Sequence, residues 1–154
     1  MNQYNDLKTL ITAIDDLLDH LGEFKDCTEL LSRYKGNDWK EYKLECKKNY
    51  KRKLIHRNKR YEIILISWYT NQSSPIHDHA ENGCVMRIME GMLKEIQYCT
   101  ETLDKLGESI YQKDHVTFID NNKCFHKITN IDKNMTYSIH IYSPPCYKTI
   151  IYDI

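Results

Sequence analysis

The hydrophobic pattern of the chain changes near residue 60, and this change constrains the fold more than any other feature of the sequence. Before it, apolar residues recur every three or four positions, as on one face of a helix. After it, short β-branched and aromatic segments alternate with turn residues, a pattern typical of a sandwich or small barrel. The chain has 154 residues, which suits one domain. We therefore expect a single, mainly β domain over residues 1–154, with a helical cap at about 1–50 and a β-barrel at about 60–154.

The helical part begins with an apolar stripe from Leu7 to Leu21, and Gly22 ends it. Shorter helices are expected around Leu30 and from Trp39. The basic run 47–53 is expected to form a solvated helix end or turn. The predicted strands are Tyr61–Tyr69, Val85–Met89, Leu93–Tyr98, His115–Ile119, His126–Ile131, Met135–Tyr142 and Tyr147–Tyr152.

The charge balance excludes several classes of partner. Lys and Arg total 22 and Asp and Glu total 22, so the formal net charge is zero. A neutral chain argues against binding nucleic acid or an anionic membrane through bulk electrostatics.

The longest apolar stretch, Ile63–Ile66, is far too short to span a bilayer. No signal peptide is evident at the start of the sequence, so we expect the six cysteines to be reduced and the protein to be a cytoplasmic monomer.

Two histidines with one residue between them form the first candidate for chemistry. In an extended strand, alternate side chains share a face, so His77 and His79 point the same way and Asp78 points the other way. Two imidazoles on one face can chelate one metal ion. The pattern by itself is weak, and a purely structural role for both histidines is an equal alternative.

A second alternation of polar residues lies near the end of the chain. Ser138, His140 and Tyr142 share one strand face, and together a hydroxyl, an imidazole and a phenol make a hydrogen-bond relay. The alternative is a polar strand face open to solvent, but the intervening Ile139 and Ile141 imply that both faces have a role. The Ser143-Pro144 bond is a candidate for the cis isomer.

The spacing around these histidines resembles the two motifs of the cupins, whose fold is a double-stranded β-helix or small jelly-roll barrel. The first motif runs from the His-x-His pair through a glutamate to a glycine, and here Cys84 stands at the glutamate position, seven residues before Gly91. The second motif is a histidine followed four positions later by asparagine, which His126 and Asn130 match. His126 would then be a third imidazole ligand. Three neutral imidazoles suit iron or zinc, and the spacing does not decide between them.

The sequence as a whole resembles the cysteine dioxygenase family of cupin-type thiol dioxygenases over about residues 6–150. The matching features are Trp68, His77-Asp78-His79, Cys84, Gly91 with Leu93-Lys94-Glu95, His126, and the run Ser138-x-His140-x-Tyr142-Ser-Pro-Pro.

The resemblance implies that ferrous iron, Fe(2+), is held by three histidines and that both atoms of O2 are added to the sulfur of L-cysteine, giving cysteine sulfinic acid. Carried over by position, the iron ligands are His77, His79 and His126. Arg57 would bind the substrate carboxylate, while Tyr142 would direct its hydroxyl at the site with His140 and Ser138 behind it. Cys84 and Tyr142 resemble the pair that forms a thioether cross-link in animal members.

One departure leaves alternatives open. Family members often have tyrosine two residues before the arginine, and this chain has Ile55 there. Two other functions therefore stand beside cysteine oxidation. One is a thiol dioxygenase for 3-mercaptopropionate or another small thiol, and the other is a non-catalytic metal-binding cupin.

Overall fold

The computed structural model describes residues 2–154 and contains a helical segment followed by a β-domain. The carboxylate of Asp6 accepts a hydrogen bond from the backbone N–H of Thr9 at 2.7 Å and so caps the first helix. The predicted apolar stripe is buried on this helix at Leu7, Leu10 and Ile14. The helical elements are α1 (Leu7–Asp19) and α2 (Cys27–Ser32), with short 3-10 helices at Phe24–Asp26 and Asp38–Tyr42.

Within residues 2–154, the strands form two five-stranded antiparallel sheets. Their order is β1-β2-β9-β4-β7 in the first sheet and β10-β3-β8-β5-β6 in the second. This arrangement confirms the prediction of a mainly β fold. The strands are β1 (Lys51–Arg57), β2 (Glu62–Trp68), β3 (Ile76–His77), β4 (Cys84–Glu90), β5 (Met92–Tyr98), β6 (Lys105–Gln112), β7 (Val116–Ile119), β8 (Phe125–Asn130), β9 (Thr136–Tyr142) and β10 (Ile151–Tyr152).

The first sheet is covered on both faces. On β2, Ile63 and Leu65 belong to one buried cluster with the helical segment, whereas Ile64 and Ile66 belong to a second cluster with the other sheet. Because both faces of β2 are covered, every residue of this strand is buried. The cavity described below therefore opens on the face that is turned away from the helices.

A buried arginine links the helical segment to the sheet. Arg87 on β4 is 3% exposed, and its guanidinium donates hydrogen bonds to the carbonyl oxygens of Leu31 at 2.7 Å and Tyr34 at 2.6 Å. The same group pairs with Asp114 at 3.0 Å. These bonds offset part of the cost of burying the charge.

Three strands were absent from the predicted set, namely β1, β6 and the two-residue β3. β1 begins inside the basic run that was expected to be a helix end or turn. It is an edge strand, and basic side chains on an edge strand discourage pairing with other chains. Because these residues are polar, the sequence of β1 lacks the hydrophobic pattern that would predict a strand. β6, also at an edge, is mostly exposed and similarly polar. By contrast, of the predicted last strand, Tyr147–Tyr152, only Ile151–Tyr152 forms a β-strand.

One further expectation, on the isomer of a proline bond, is met. The Ser143-Pro144 bond is cis. Among the described residues, no helix is both long enough and apolar enough to cross a membrane.

The shared cluster predicts that the helices and the β-domain unfold together as one domain. Leu10 is fully buried in the cluster that joins them, whereas Leu21 is 95% exposed. We expect Leu10→Ala to lower the free energy of unfolding by about 2–5 kcal/mol, and Leu21→Ala to leave it nearly unchanged. Urea titration followed by circular dichroism and by tryptophan fluorescence measures both. Two separate transitions in the parent protein would contradict the single domain.

Candidate metal centre

A cavity between the two sheets collects most of the candidate site residues. The second sheet and the loop after β3 contribute His77, His79 and His126, which were predicted from the motifs. The first sheet contributes Cys84, His140 and Tyr142. The structure therefore brings the two separate sequence patterns together in one place.

The three motif histidines converge on one point. One ring nitrogen from each of His77, His79 and His126 lies within 4.8 Å of the others. His77 and His126 are direct partners across the β3–β8 ladder, and their Nε2 atoms are 3.0 Å apart. His79 lies in the loop after β3 and not on the extended strand that was expected to carry both histidines, and its ring centre is 4.4 Å from that of His126.

The outer nitrogen of each ring faces a hydrogen-bond acceptor. His77 Nδ1 lies 2.8 Å from the carbonyl oxygen of Pro75, and His79 Nδ1 lies 3.2 Å from Oδ1 of Asn121. His126 Nδ1 lies 2.7 Å from a carboxylate oxygen of Glu95. Because these oxygens accept, each Nδ1 carries the proton and each Nε2 is left with a lone pair.

The site favours neutral imidazoles. Burial, followed by the charge of His126, lowers the pKa of His77 to about 3 and that of His79 to about 2. His79 Nε2 is buried and has no hydrogen-bond partner among the described residues. Ring nitrogens whose lone pairs converge repel one another unless a cation lies between them. The arrangement therefore fits a metal ion, as the sequence predicted, and three imidazole donors suit iron or zinc.

Ser138, His140 and Tyr142 form the predicted relay, and a tryptophan extends it. Trp68 Nε1 donates to Ser138 Oγ at 2.9 Å, and Ser138 Oγ lies 2.7 Å from His140 Nε2. His140 Nδ1 lies 3.2 Å from the Tyr142 hydroxyl. Because an indole N–H only donates, every group is satisfied when protons point from Trp68 towards Tyr142, whose own hydroxyl hydrogen is then free to face the cavity.

Both titratable members of the relay are neutral. Burial, followed by the positive charge of Arg52, holds the pKa of His140 well below its usual range. Burial raises the pKa of Tyr142 well above its usual range. At neutral pH the phenol therefore keeps its proton and acts as a hydrogen-bond donor.

Cys84 lies beside this phenol. It is the direct cross-strand partner of Tyr142 in the β4–β9 ladder, and its sulfur is 3.8 Å from His140 Nδ1. Burial raises the pKa of the Cys84 thiol to about 12, so the thiol is protonated at neutral pH. The prediction that Cys84 faces the metal side of the barrel agrees with its place in the cavity wall.

Arg57 is the one candidate that the structure places elsewhere. It ends β1 with a side chain 45% exposed, and its guanidinium is bound to Glu62 through Nε at 2.8 Å and Nη2 at 2.7 Å. The arginine of the cavity wall is instead Arg52, five residues earlier on β1. Its guanidinium carbon lies 5.3 Å from the centre of the Tyr142 ring. Arg57 therefore does not line the cavity in which the resemblance would place it.

The sequence contained a signal for Arg52 that the basic run concealed. Tyr50 stands two residues before Arg52, which is the spacing that Ile55 fails to provide for Arg57. Tyr50 also lines the cavity, and its ring centre is 4.6 Å from that of Trp68.

Glu95 is a second residue whose importance the sequence analysis did not assign. It lies on β5 and is 1% exposed. Burial opposes its ionisation, but hydrogen bonds from His126 and Tyr111 hold its pKa below the usual range. The sequence offered one sign of this role. Glu95 is a charged residue two positions from Leu93, so it shares a strand face with a side chain that is fully buried.

Comparison with known proteins gives one consistent family. A family model described as cysteine dioxygenase type I matches residues 5–153. Cysteine dioxygenase type 1 of Danio rerio is 24% identical over 139 residues, covering 84% of this chain and 69% of that protein. The Bos taurus protein of the same name is 26% identical over 125 residues, covering 75% of this chain and 62% of that protein.

The fold is shared with solved structures at much lower identity. An uncharacterized conserved protein with a double-stranded β-helix domain from Klebsiella pneumoniae matches with a TM-score of 0.63 and 10% identity, covering 75% of this chain and 88% of that one. This likeness confirms the predicted cupin fold. Because the family model matches nearly the whole chain, the protein belongs to the cysteine dioxygenase type I family.

Proposed function

We propose that this protein is a cysteine dioxygenase, which adds both atoms of O2 to the sulfur of L-cysteine and yields cysteine sulfinic acid. The observation that carries the proposal is the convergence of three imidazole nitrogens in the cavity that Tyr142 also lines. The family to which the chain belongs supports this chemistry.

Ferrous iron is the metal we propose, held by His77, His79 and His126. Three neutral ligands leave the full charge of the ion in place, so an anionic thiolate is a favourable further ligand. When bound, ferrous iron supplies the open positions for thiol and O2 and the electrons that activate O2.

Arg52 is the residue we propose for binding the substrate carboxylate. It lines the cavity next to Tyr142, and its planar guanidinium can make two parallel charge-assisted hydrogen bonds to a carboxylate. Arg57 is already engaged by Glu62. We therefore transfer to Arg52 the role that the resemblance implied for Arg57.

The relay behind Tyr142 fixes where its proton points. Trp68, Ser138 and His140 hold the phenol oxygen from one side, so the hydroxyl hydrogen is presented to a ligand in the cavity. A donor that is already oriented stabilises negative charge on substrate oxygen without further reorganisation. Tyr142 is the catalytic residue of this set, with His140 and Ser138 in support.

Two alternatives are separated from this proposal by one experiment. A dioxygenase for 3-mercaptopropionate would use the same arginine, since that thiol also carries a carboxylate. A non-catalytic metal-binding cupin would consume no O2. Oxygen uptake by ferrous-loaded protein, with cysteine, 3-mercaptopropionate and cysteamine offered in turn, distinguishes all three. We expect uptake to be fastest with cysteine.

A cytoplasmic location and a monomeric state are also part of the proposal. The six cysteines, all within the described residues, form no disulfide, as expected for a reducing compartment.

Arg52→Ala should selectively weaken oxidation of substrates that carry a carboxylate. Losing a desolvated charge pair should cost about 2 kcal/mol or more, or about a 30-fold fall in kcat/KM for cysteine. Cysteamine, which lacks the carboxylate, should be oxidised at a nearly unchanged rate. Arg57→Ala is the matched control, because the same charge is removed from the same strand outside the cavity. If Arg57→Ala shows the selective loss and Arg52→Ala does not, the assignment is reversed.

The metal assignment predicts about one iron per chain in the active protein. His126→Ala should lose most of the iron and the activity, since one of three converging ligands is removed. His20→Ala, at an exposed position after α1, should keep both. Elemental analysis of the purified variants, after reconstitution with ferrous iron, measures this. Full iron content in His126→Ala would show that the ligand set is wrong.

Cys84 and Tyr142 are predicted to form a thioether cross-link during turnover, because they are adjacent across the ladder. A carbon–sulfur bond would replace the thiol hydrogen and one ring hydrogen, with O2 accepting two electrons and two protons. It would cut the rotamer freedom of the phenol and raise the rate without being required for it. Intact mass spectrometry after turnover should show a loss of two hydrogens that Cys84→Ala abolishes. Active protein with only separate Cys84 and Tyr142 peptides would disprove the cross-link.

A further inference from the structure

We propose that Glu95 is a positioning residue that supplies, from behind His126, the negative charge that the metal site lacks among its direct ligands. The inference rests on the proposed iron site and concerns how strongly that site holds the metal and at what potential it is oxidised.

Glu95 is held on both of its oxygens. Oε2 lies 2.7 Å from His126 Nδ1, while Oε1 accepts hydrogen bonds from the Tyr111 hydroxyl at 2.7 Å and from the Gln97 side chain at 3.0 Å. Among the described residues, no lysine or arginine forms an ion pair with Glu95, and His126 is the imidazole that its carboxylate contacts. A carboxylate fixed in this way, 1% exposed, directs its charge at one imidazole.

The three histidines are not equivalent in this respect. His77 and His79 rest against neutral oxygens, those of the Pro75 carbonyl and the Asn121 amide. His126 alone rests against a charged acceptor. A hydrogen bond to a carboxylate is stronger than one to a neutral oxygen and makes the ring a better electron donor to a bound metal. His126 is therefore the strongest donor of the three.

In this arrangement the negative charge near the metal comes from a residue that is not itself a metal ligand. Cys84 stands where the first cupin motif has its glutamate, so no carboxylate occupies a ligand position there. Glu95 restores one negative charge to the site through the ring of His126 and leaves the positions for thiol and O2 free. Charge placed behind a ligand stabilises ferric iron relative to ferrous iron while leaving room for both substrates.

Glu95→Gln tests this role, because it keeps the shape of the side chain and removes the charge. We expect ferrous iron to bind about 10- to 100-fold more weakly and the reduction potential of the bound iron to rise. Equilibrium competition with a chelator and redox titration measure these two quantities in the absence of thiol. Glu108→Gln is the matched control, since it removes the same charge from the exposed face of the neighbouring β6. It should change neither quantity.

Tyr111→Phe provides a test in the opposite direction. Without the Tyr111 hydrogen bond, more of the Glu95 charge acts on His126, so the reduction potential should fall. A merely structural role for the Glu95–Tyr111 pair would not move the potential in opposite directions in the two variants. If Glu95→Gln does not fold, the fall in Tyr111→Phe still supports the proposal, and an unchanged or higher potential overturns it.

Failure of this inference is distinguishable from failure of the proposed function. Parent protein that binds iron and oxidises cysteine, with unchanged affinity and potential in Glu95→Gln, overturns only the role of Glu95. Parent protein that binds no ferrous iron overturns both.

Discussion

The two-sided burial of β9 is the constraint on which the rest of the structure depends. Ile139 and Ile141 are fully buried against the helical segment, and this fixes Ser138, His140 and Tyr142 on the opposite face, where His140 and Tyr142 line the cavity. Because the side-chain period of a strand is two, a register slip of one residue would reverse both sets. Packing of the helices and orientation of the relay are therefore set by the same strand pairing.

The two sheets contribute different groups to the cavity between them. The second sheet and the loop after β3 carry the histidines, and each ring is held by an oxygen behind it. The first sheet carries Arg52, Cys84 and Tyr142, which line the same cavity from the other side. The metal ligands are thus held independently of the groups that would recognise the thiol.

Periodicity predicted a mainly β domain, and the resemblance to the cupin motifs implied the fold and the ligand set of His77, His79 and His126, which the structure brings together. The resemblance implied Arg57 as the arginine of the cavity, and the local sequence could not correct it for a physical reason. β1 is an exposed edge strand in which several basic side chains look alike, so alternation does not show which one turns inward. Glu95 was missed because its partner, His126, lies 31 residues away and meets it only through the β5–β8 ladder.

The fate of molecular oxygen tests the central claim most directly. Ferrous-loaded protein turned over with L-cysteine under labelled O2 in ordinary water should give cysteine sulfinic acid in which both sulfinate oxygens carry the label. Analysis of the product by mass spectrometry reads this out in one experiment. A sulfinate with one labelled oxygen or none, or a disulfide as the only product, would contradict a dioxygenase acting at the three-histidine site.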